Sequence, residues 1–226
     1  MTKRRVGVLI SGRGSNLAAL IDACRQPDYP AEIVLVLSNR ADAGGLGRAA
    51  EAGIATAVVP HREHPDRESF EAAVHSRLVA AGCELVCLAG FMRLLTPWFV
   101  SRWRDRLVNI HPALLPAFPG LDIHRRTLEA GVTIAGCTVH FVREGVDDGP
   151  IILQAAVPVL PDDDEESLSA RILAAEHRAY PRALALVASG SIRIDGNRVR
   201  TAGSTSPEGL LMCPDEALGL RPAGAL

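Results

Sequence analysis

Four short apolar runs, Val6–Ile10, Ile33–Leu37, Ala55–Val59 and Leu85–Ala89, recur through the first half of the chain with helix-period segments between them. Continuous runs of this length, rich in β-branched and aliphatic residues, are the pattern of strands buried on both faces. Between the first two, Leu17, Leu20, Ile21 and Cys24 fall at i, i+3, i+4 and i+7, one face of a helix. A glycine-broken helix around Leu46–Ala52 leads into the third run. Phe70, Val74 and Leu78 mark another helix before the fourth, with Asp66 placed to cap it and Gly82 to end it. A βαβαβ rhythm of this kind predicts a mostly parallel, Rossmann-like sheet with helices on both faces.

The second half follows a different rhythm. Leu107–His111 reads as a strand and Ile123–Ala130 as a helix. Thr133–Val142 and Ile151–Val159 are long apolar segments joined by the turn-like stretch Arg143–Pro150, so they are expected to pair antiparallel and extend the sheet. The acidic run Asp162–Glu166 precedes a long amphipathic segment, Leu168–Val187, and is read as the negatively charged start of that helix. Ile192–Val199 contains Asp195-Gly196-Asn197, a hairpin signal. From residue 201 the chain turns to Gly, Ser, Pro and Ala without periodicity, which predicts a flexible C-terminal tail over 201–226. With no internal repeat and no long linker, residues 1–200 are expected to form one domain of two halves, 1–104 and 105–200, sharing one sheet.

A formal net charge of −2 argues against a general nucleic-acid binder, whose affinity would come from neutralising phosphates. The basic start Met1–Arg5 is followed by an apolar run too short for a signal sequence, and nothing approaches a membrane span, so the expected location is the cytoplasm. The cysteines, at 24, 83, 87, 137 and 213, form no C-x-x-C pair and read as reduced thiols. His61, His64, His124 and His140 are scattered without metal-ligand spacing, so no metal is expected.

Four stretches are candidates for chemistry. Asn109-Ile110-His111, followed by Pro112 and Pro116, sets an amide and an imidazole at i and i+2, on one face of an extended strand. Such a pair suits a reaction that develops negative charge on oxygen and moves a proton. Ser11–Asn16, between the first strand and first helix, is glycine-rich. It is either an anion-binding turn or a tight connection capped by Ser15 or Asn16. Asp147-Asp148-Gly149-Pro150 is either an ordinary β-turn or the source of a carboxylate for His111. Phe91–Leu95 is either a core segment with one solvated arginine or the wall of a pocket for a flat anionic molecule.

Taken in order, these stretches resemble the folate-dependent phosphoribosylglycinamide formyltransferases of purine biosynthesis. The resemblance rests on the segments at 6–17 (SGRGSNL at its end), 38–54, LAGFMRLL at 88–95, NIHPALLPAFPGL at 109–121, 138–159 and EHRAYPRAL at 176–184. It implies the formyltransferase fold and transfer of a formyl group from 10-formyltetrahydrofolate to the glycine amine of 5-phosphoribosylglycinamide. Asn109, His111 and Asp147 match the catalytic trio. Gly14, Ser15, Asn16 and Leu17 match the phosphate site, and Glu176 the ribose side of the acceptor. Arg67, Met92, Arg93, Leu94, Leu95 and the loop Arg143, Glu144, Gly145, Val146 and Asp147, together with Asn109, match the folate site. The implied partners are these small molecules, with the protein a monomer or homodimer. The chain departs from the family's Asp-Gly-Gly-Pro at Asp148. Counting back from Gly149-Pro150 makes Asp147 the catalytic residue, and position 148 is expected to carry a positive φ that aspartate tolerates. A relative acting on initiator tRNA would want an RNA-binding domain and a positive surface, and a formyltetrahydrofolate hydrolase would use water as acceptor. A dinucleotide enzyme would want an acidic residue after the second strand, where Ser38-Asn39-Arg40 stands instead.

Overall fold

The computed structural model describes residues 2–201 and contains one nine-stranded sheet. Its parallel part uses β1 (Arg4–Ile10), β2 (Ala31–Ser38), β3 (Thr56–Val58), β4 (Leu85–Leu88) and β5 (Leu107–His111). Antiparallel pairing then adds β6 (Ile134–Phe141) and β7 (Ile151–Pro158), and a hairpin of β8 (Ile192–Asp195) and β9 (Arg198–Thr201) closes the far edge. The spatial order is β3-β2-β1-β4-β5-β6-β7-β9-β8. The chain moves outward from β1 through β2 to β3, then returns to β4 on the other side of β1. That reversal leaves a crevice beyond the carboxyl ends of β1 and β4, where open α/β sheets bind ligands.

The central strands bury both faces, so their residues divide between two cores. Val6, Val8 and Ile10 of β1 pack with α1 (Ser15–Cys24) and the long α6 (Glu165–Ala188), through Leu17, Leu20, Ile172 and Tyr180. Leu9, Val86 and Leu88 face the other way, toward Phe70, Val74 and Leu78 of α3 (Arg67–Ala80) and Phe99 and Trp103 at α4 (Pro97–Arg102). Two shorter helices, α2 (Gly44–Glu51) and α5 (Ile123–Glu129), complete the layers.

The helix boundaries have local causes. Asp66 accepts a hydrogen bond from Ser69 N at 2.7 Å and starts α3, and Gly82, at φ 66°, follows its end. Asp164 and Ser167 cap each other's backbone at the start of α6, and Glu165 and Glu166 occupy its first turn. Two expectations need correction, and one helix went unread. Residues 97–102 form α4, which no apolar period announces because the helix spans fewer than two turns. Thr201, assigned to the tail, is the last residue of β9, held by pairing with Ile192; the rest of the expected tail and Cys213 lie outside the described residues. At the 147–148 pair the left-handed residue is Asp147, at φ 50°, and not Asp148.

Candidate functional site

The turn after β1 is built by two glycines pressed together. Gly14, at φ 74°, is the N-cap of α1, and a Cβ there would lie 2.7 Å from the Cα of Gly45. A Cβ on Gly45 would lie 2.6 Å from Ile10 Cδ1. No side chain caps α1, and its first internal bond runs from Ala18 N to Gly14 O at 3.0 Å. The N–H groups of Ser15, Asn16 and Leu17 therefore have no helical acceptor, the arrangement that favours an anion. Neither Ser15 nor Asn16 serves as the cap. Asn16 instead donates Nδ2 to Glu176 Oε2 at 2.7 Å, and its own Oδ1 is buried without a partner. Glu176, 6% exposed on α6, has its carboxyl pushed up to about 7 by burial, against the pull of the Asn16 hydrogen bond.

These groups border a cavity of about 650 Å³. Its wall runs from Ser11–Asn16 past Asn39, Gly90, Met92 and Arg93 to Glu176, and includes Ile110 and Pro112 on either side of His111. A buried polar chain ties its parts together. Met92 N donates to Ser11 Oγ at 2.9 Å, Ser11 Oγ to Asn39 Oδ1 at 2.7 Å, and Asn39 Nδ2 lies 3.2 Å from His61 Nδ1. The carboxyl ends of β1, β2 and β4 are thus held in fixed relation.

The end of β5 presents Asn109 and His111 toward the loop between β6 and β7. His111 Nδ1 lies 3.3 Å from Asp147 Oδ2, and its Nε2 lies 2.9 Å from the Phe118 carbonyl. Asn109 reaches the same carboxylate through an intermediary. Its Nδ2 is 3.3 Å from His140 Nε2, and that nitrogen is 4.0 Å from Asp147 Oδ1. His140 is 1% exposed and its Nδ1 faces the Phe141 carbonyl at 3.0 Å. Burial lowers its pKa, partly offset by that hydrogen bond, so the ring is neutral with its proton on Nδ1. Its Nε2 lone pair then accepts from Asn109, which fixes the amide's orientation and leaves the second amide hydrogen for a ligand.

Asp147 is the carboxylate aimed at the histidines because the turn is forced. A Cβ at Gly149, φ 147°, would lie 2.0 Å from the Phe141 carbonyl oxygen, so the chain can pass there only as glycine. Asp148 folds back over Gly145, where an added Cβ would meet the Asp148 Cβ at 2.9 Å.

The residues matched to a folate site are less tightly gathered. The cavity takes in Met92 and Arg93 but not Arg67, Leu94, Leu95 or 143–147. Arg67 is the first residue of α3. Leu95 packs on the α3–α4 core, and Arg143 pairs with Asp105 at 2.5 Å. Met92 and Leu94 are 72% and 60% exposed, so Phe91–Leu95 is not a core segment; only Phe91 is buried. Asp147 borders a second cavity of about 420 Å³ between Pro116, Gly149 and the β8–β9 hairpin. Among the described residues no three His, Cys, Asp or Glu side chains are grouped to hold a metal, and no helix is long and apolar enough to cross a membrane.

Sequence reasoning set aside three residues that the site uses. His140 looked scattered, yet it is the antiparallel partner of Asn109 across β5 and β6. Fixing that register would have found it. Asn39 and His61 carried no comparable signal, since only the tertiary approach of three loops gives them partners.

Residues 4–184 match the formyl transferase family. The chain is 59% identical over 194 residues to the trifunctional purine biosynthetic protein adenosine-3 of Drosophila pseudoobscura pseudoobscura, covering 84% of this chain and 14% of that protein. It thus spans about a seventh of the length of that longer relative. It is 44% identical over 200 residues to the phosphoribosylglycinamide formyltransferase of Escherichia coli, covering 88% of this chain and 94% of the relative. Among solved structures, glycinamide ribonucleotide transformylase 1 from Symbiobacterium toebii superposes with a TM-score of 0.86 at 54% identity, over 88% of this chain and 94% of that one.

Proposed function

The chain belongs to the formyl transferase family, and on that premise we propose that it transfers the formyl group of 10-formyltetrahydrofolate to the glycine amine of 5-phosphoribosylglycinamide, in purine biosynthesis. The observation that carries the reading is the meeting of Asn109, His140, His111 and Asp147 at a strand end whose Ile110 and Pro112 border the same cavity as an uncapped helix N-terminus. A substrate with a phosphate at one end and a nucleophile at the other suits such a cavity.

In this reading the phosphate takes the N–H groups of Ser15, Asn16 and Leu17, at the turn held by Gly14. Glu176 and the unpaired Oδ1 of Asn16 accept from the sugar hydroxyls. The folate lies along Met92–Leu95, with Arg67, Arg93 and the 143–147 loop at its sides, and its formyl carbon beside Asn109. Residues 1–104 supply the phosphate turn, and 105–200 the reacting groups and Glu176.

The neutral amine attacks the formyl carbon, a C–N bond forms, and the carbonyl oxygen becomes an oxyanion. Asn109 donates its free amide hydrogen to that oxygen. His111 sits between two acceptors, Asp147 and the Phe118 carbonyl. A ring carrying N–H on both nitrogens satisfies both and places a positive charge near the oxyanion. The amine sheds its proton to the Asp147 carboxylate, and the folate nitrogen gains one as its bond to carbon breaks. The chemistry of the chain's own residues is orientation, charge stabilisation and proton transfer.

The test is to incubate the purified protein with 10-formyltetrahydrofolate and, separately, phosphoribosylglycinamide, initiator methionyl-tRNA or no acceptor. Tetrahydrofolate release that depends on the glycinamide supports the proposal. Release without an acceptor identifies a hydrolase and overturns it.

A further inference from the structure

The segment between β5 and α5 touches both members of the His111–Asp147 pair. The Phe118 carbonyl faces His111 Nε2 at 2.9 Å, and Gly120 N donates to Asp147 Oδ2 at 2.9 Å. Both contacts require an unusual backbone. Phe118, Gly120 and Asp122 are all left-handed, at φ 51°, 85° and 54°. An aromatic residue in that region holds its place only when its surroundings compel it.

One side chain supplies much of that compulsion. Arg126, on α5, donates Nη1 to the Pro119 carbonyl at 2.6 Å and to the Leu121 carbonyl at 3.1 Å. Its guanidinium carbon lies 5.8 Å from the centre of the Phe118 ring. The neighbouring Arg125 behaves differently and pairs with Asp122. Arg126 thus bridges the carbonyls on either side of Gly120, the residue whose N–H meets Asp147, and lies against the ring of the residue whose carbonyl meets His111. One nitrogen makes both bonds, its two N–H groups divided between the carbonyls and held in direction by the planar guanidinium; a lysine ammonium lacks that fixed direction.

We propose that Arg126 is a positioning residue for the reacting pair: it fastens the left-handed 118–122 segment so that the Phe118 carbonyl and Gly120 N–H fix the orientation of His111 and Asp147. This rests on the function proposed above only for its kinetic consequence. The structural consequence stands by itself.

Two measurements test it. The first is the ¹⁵N signal of His111 Nε2 in histidine-labelled protein, assigned by its disappearance in His111→Gln. Arg126→Ala should shift it through loss of the Phe118 hydrogen bond, while Arg125→Ala leaves it in place. An unmoved signal in Arg126→Ala overturns the proposal, whether or not the protein transfers formyl groups. The second is steady-state kinetics with both substrates. Misplacing a reacting group by about 1 Å costs on the order of a hundredfold, so Arg126→Ala should lose roughly tenfold to a hundredfold in kcat with KM values nearly unchanged. Arg126→Lys should recover part of the loss, and millimolar guanidinium chloride should restore turnover to Arg126→Ala. Wild-type kcat in Arg126→Ala, or a loss that guanidinium does not relieve and that tracks a fall in Tm, overturns it. A wild-type enzyme without glycinamide-dependent activity, but with the expected NMR shift, instead refutes the proposed function and leaves Arg126 in its positioning role.

Discussion

Asn109 is oriented by a residue that does not touch the substrate in the proposed arrangement. His140 takes one amide hydrogen, so the other has only one direction in which to point. Replacing Asn109 with Ala removes the oxyanion donor and should lower kcat by about 10²–10³. Asp147→Asn should be similarly damaging, because a neutral amide cannot balance charge on His111, whereas Asp148→Asn should stay close to wild type. A severe loss in Asp148→Asn with normal turnover in Asp147→Asn would assign the wrong carboxylate. Glu176 makes a separate prediction. Its folded-state pKa is raised from 4.5 to about 7, so the folded protein holds this proton more tightly than the unfolded chain does. The resulting stabilisation is whole below about 4.5, declines as pH rises, and is lost above about 7, a span worth at most about 3 kcal/mol. Glu176→Gln keeps an acceptor for Asn16 and removes the titration. Urea unfolding at pH 5 and pH 8 should therefore show the variant gaining on the wild type at the higher pH; a difference that does not change with pH would contradict the assignment. At this scale the sequence was informative where residues lie close along the chain. Asn109 and His111 are two apart on one strand face, and that spacing alone suggested convergence. His140 was not legible, because its role depends on antiparallel register rather than on neighbours in sequence.

At the level of elements, the interlock between the β1–α1 turn and the start of α2 deserves a direct test. Gly14 and Gly45 meet backbone to backbone, with Gly45 N donating to the Gly12 carbonyl at 3.1 Å. Gly14→Ala would have to hold alanine at φ 74° while moving α2 outward. It should destabilise the protein by more than about 1 kcal/mol and raise KM for the phosphorylated acceptor more than for the folate. Tm and the two KM values measure this, and equal KM changes would separate the turn from phosphate binding. The elements themselves were largely readable. Val6–Ile10 and Ile33–Leu37 became β1 and β2, Leu107–His111 is β5 as expected, and the acidic run at 162–166 does open α6. Phe91–Leu95 was ambiguous for a physical reason. Apolar composition predicts burial on average, yet Met92 and Leu94 are exposed, and Met92 borders the cavity.

For the molecule as a whole, the site depends on α6 being locked across β4 and β5. Tyr180 is fully buried, and its hydroxyl reaches the carbonyls of both Leu88 and Val108 at 3.0 and 3.1 Å. Tyr180→Phe leaves those acceptors without that donor and should cost about 1–3 kcal/mol in urea unfolding. Because α6 also carries Glu176, KM for the acceptor should rise in the same variant; unchanged stability would remove Tyr180 from this role. Local pattern determined the parts: strands buried on two faces, helices with one apolar stripe, a glycine turn before α1, and an amide and an imidazole on one strand face. These follow from periods of 2 and 3.6 and from the conformational range of glycine, which act over a few residues. Tertiary structure alone decided which distant groups meet. Pairing of β5 with β6 set His140 opposite Asn109, the chain reversal at β1 and β4 opened the crevice, and packing of α6 brought Glu176 to Asn16. Each of those meetings is fixed by the shared burial of whole faces, a property that no short stretch of sequence contains.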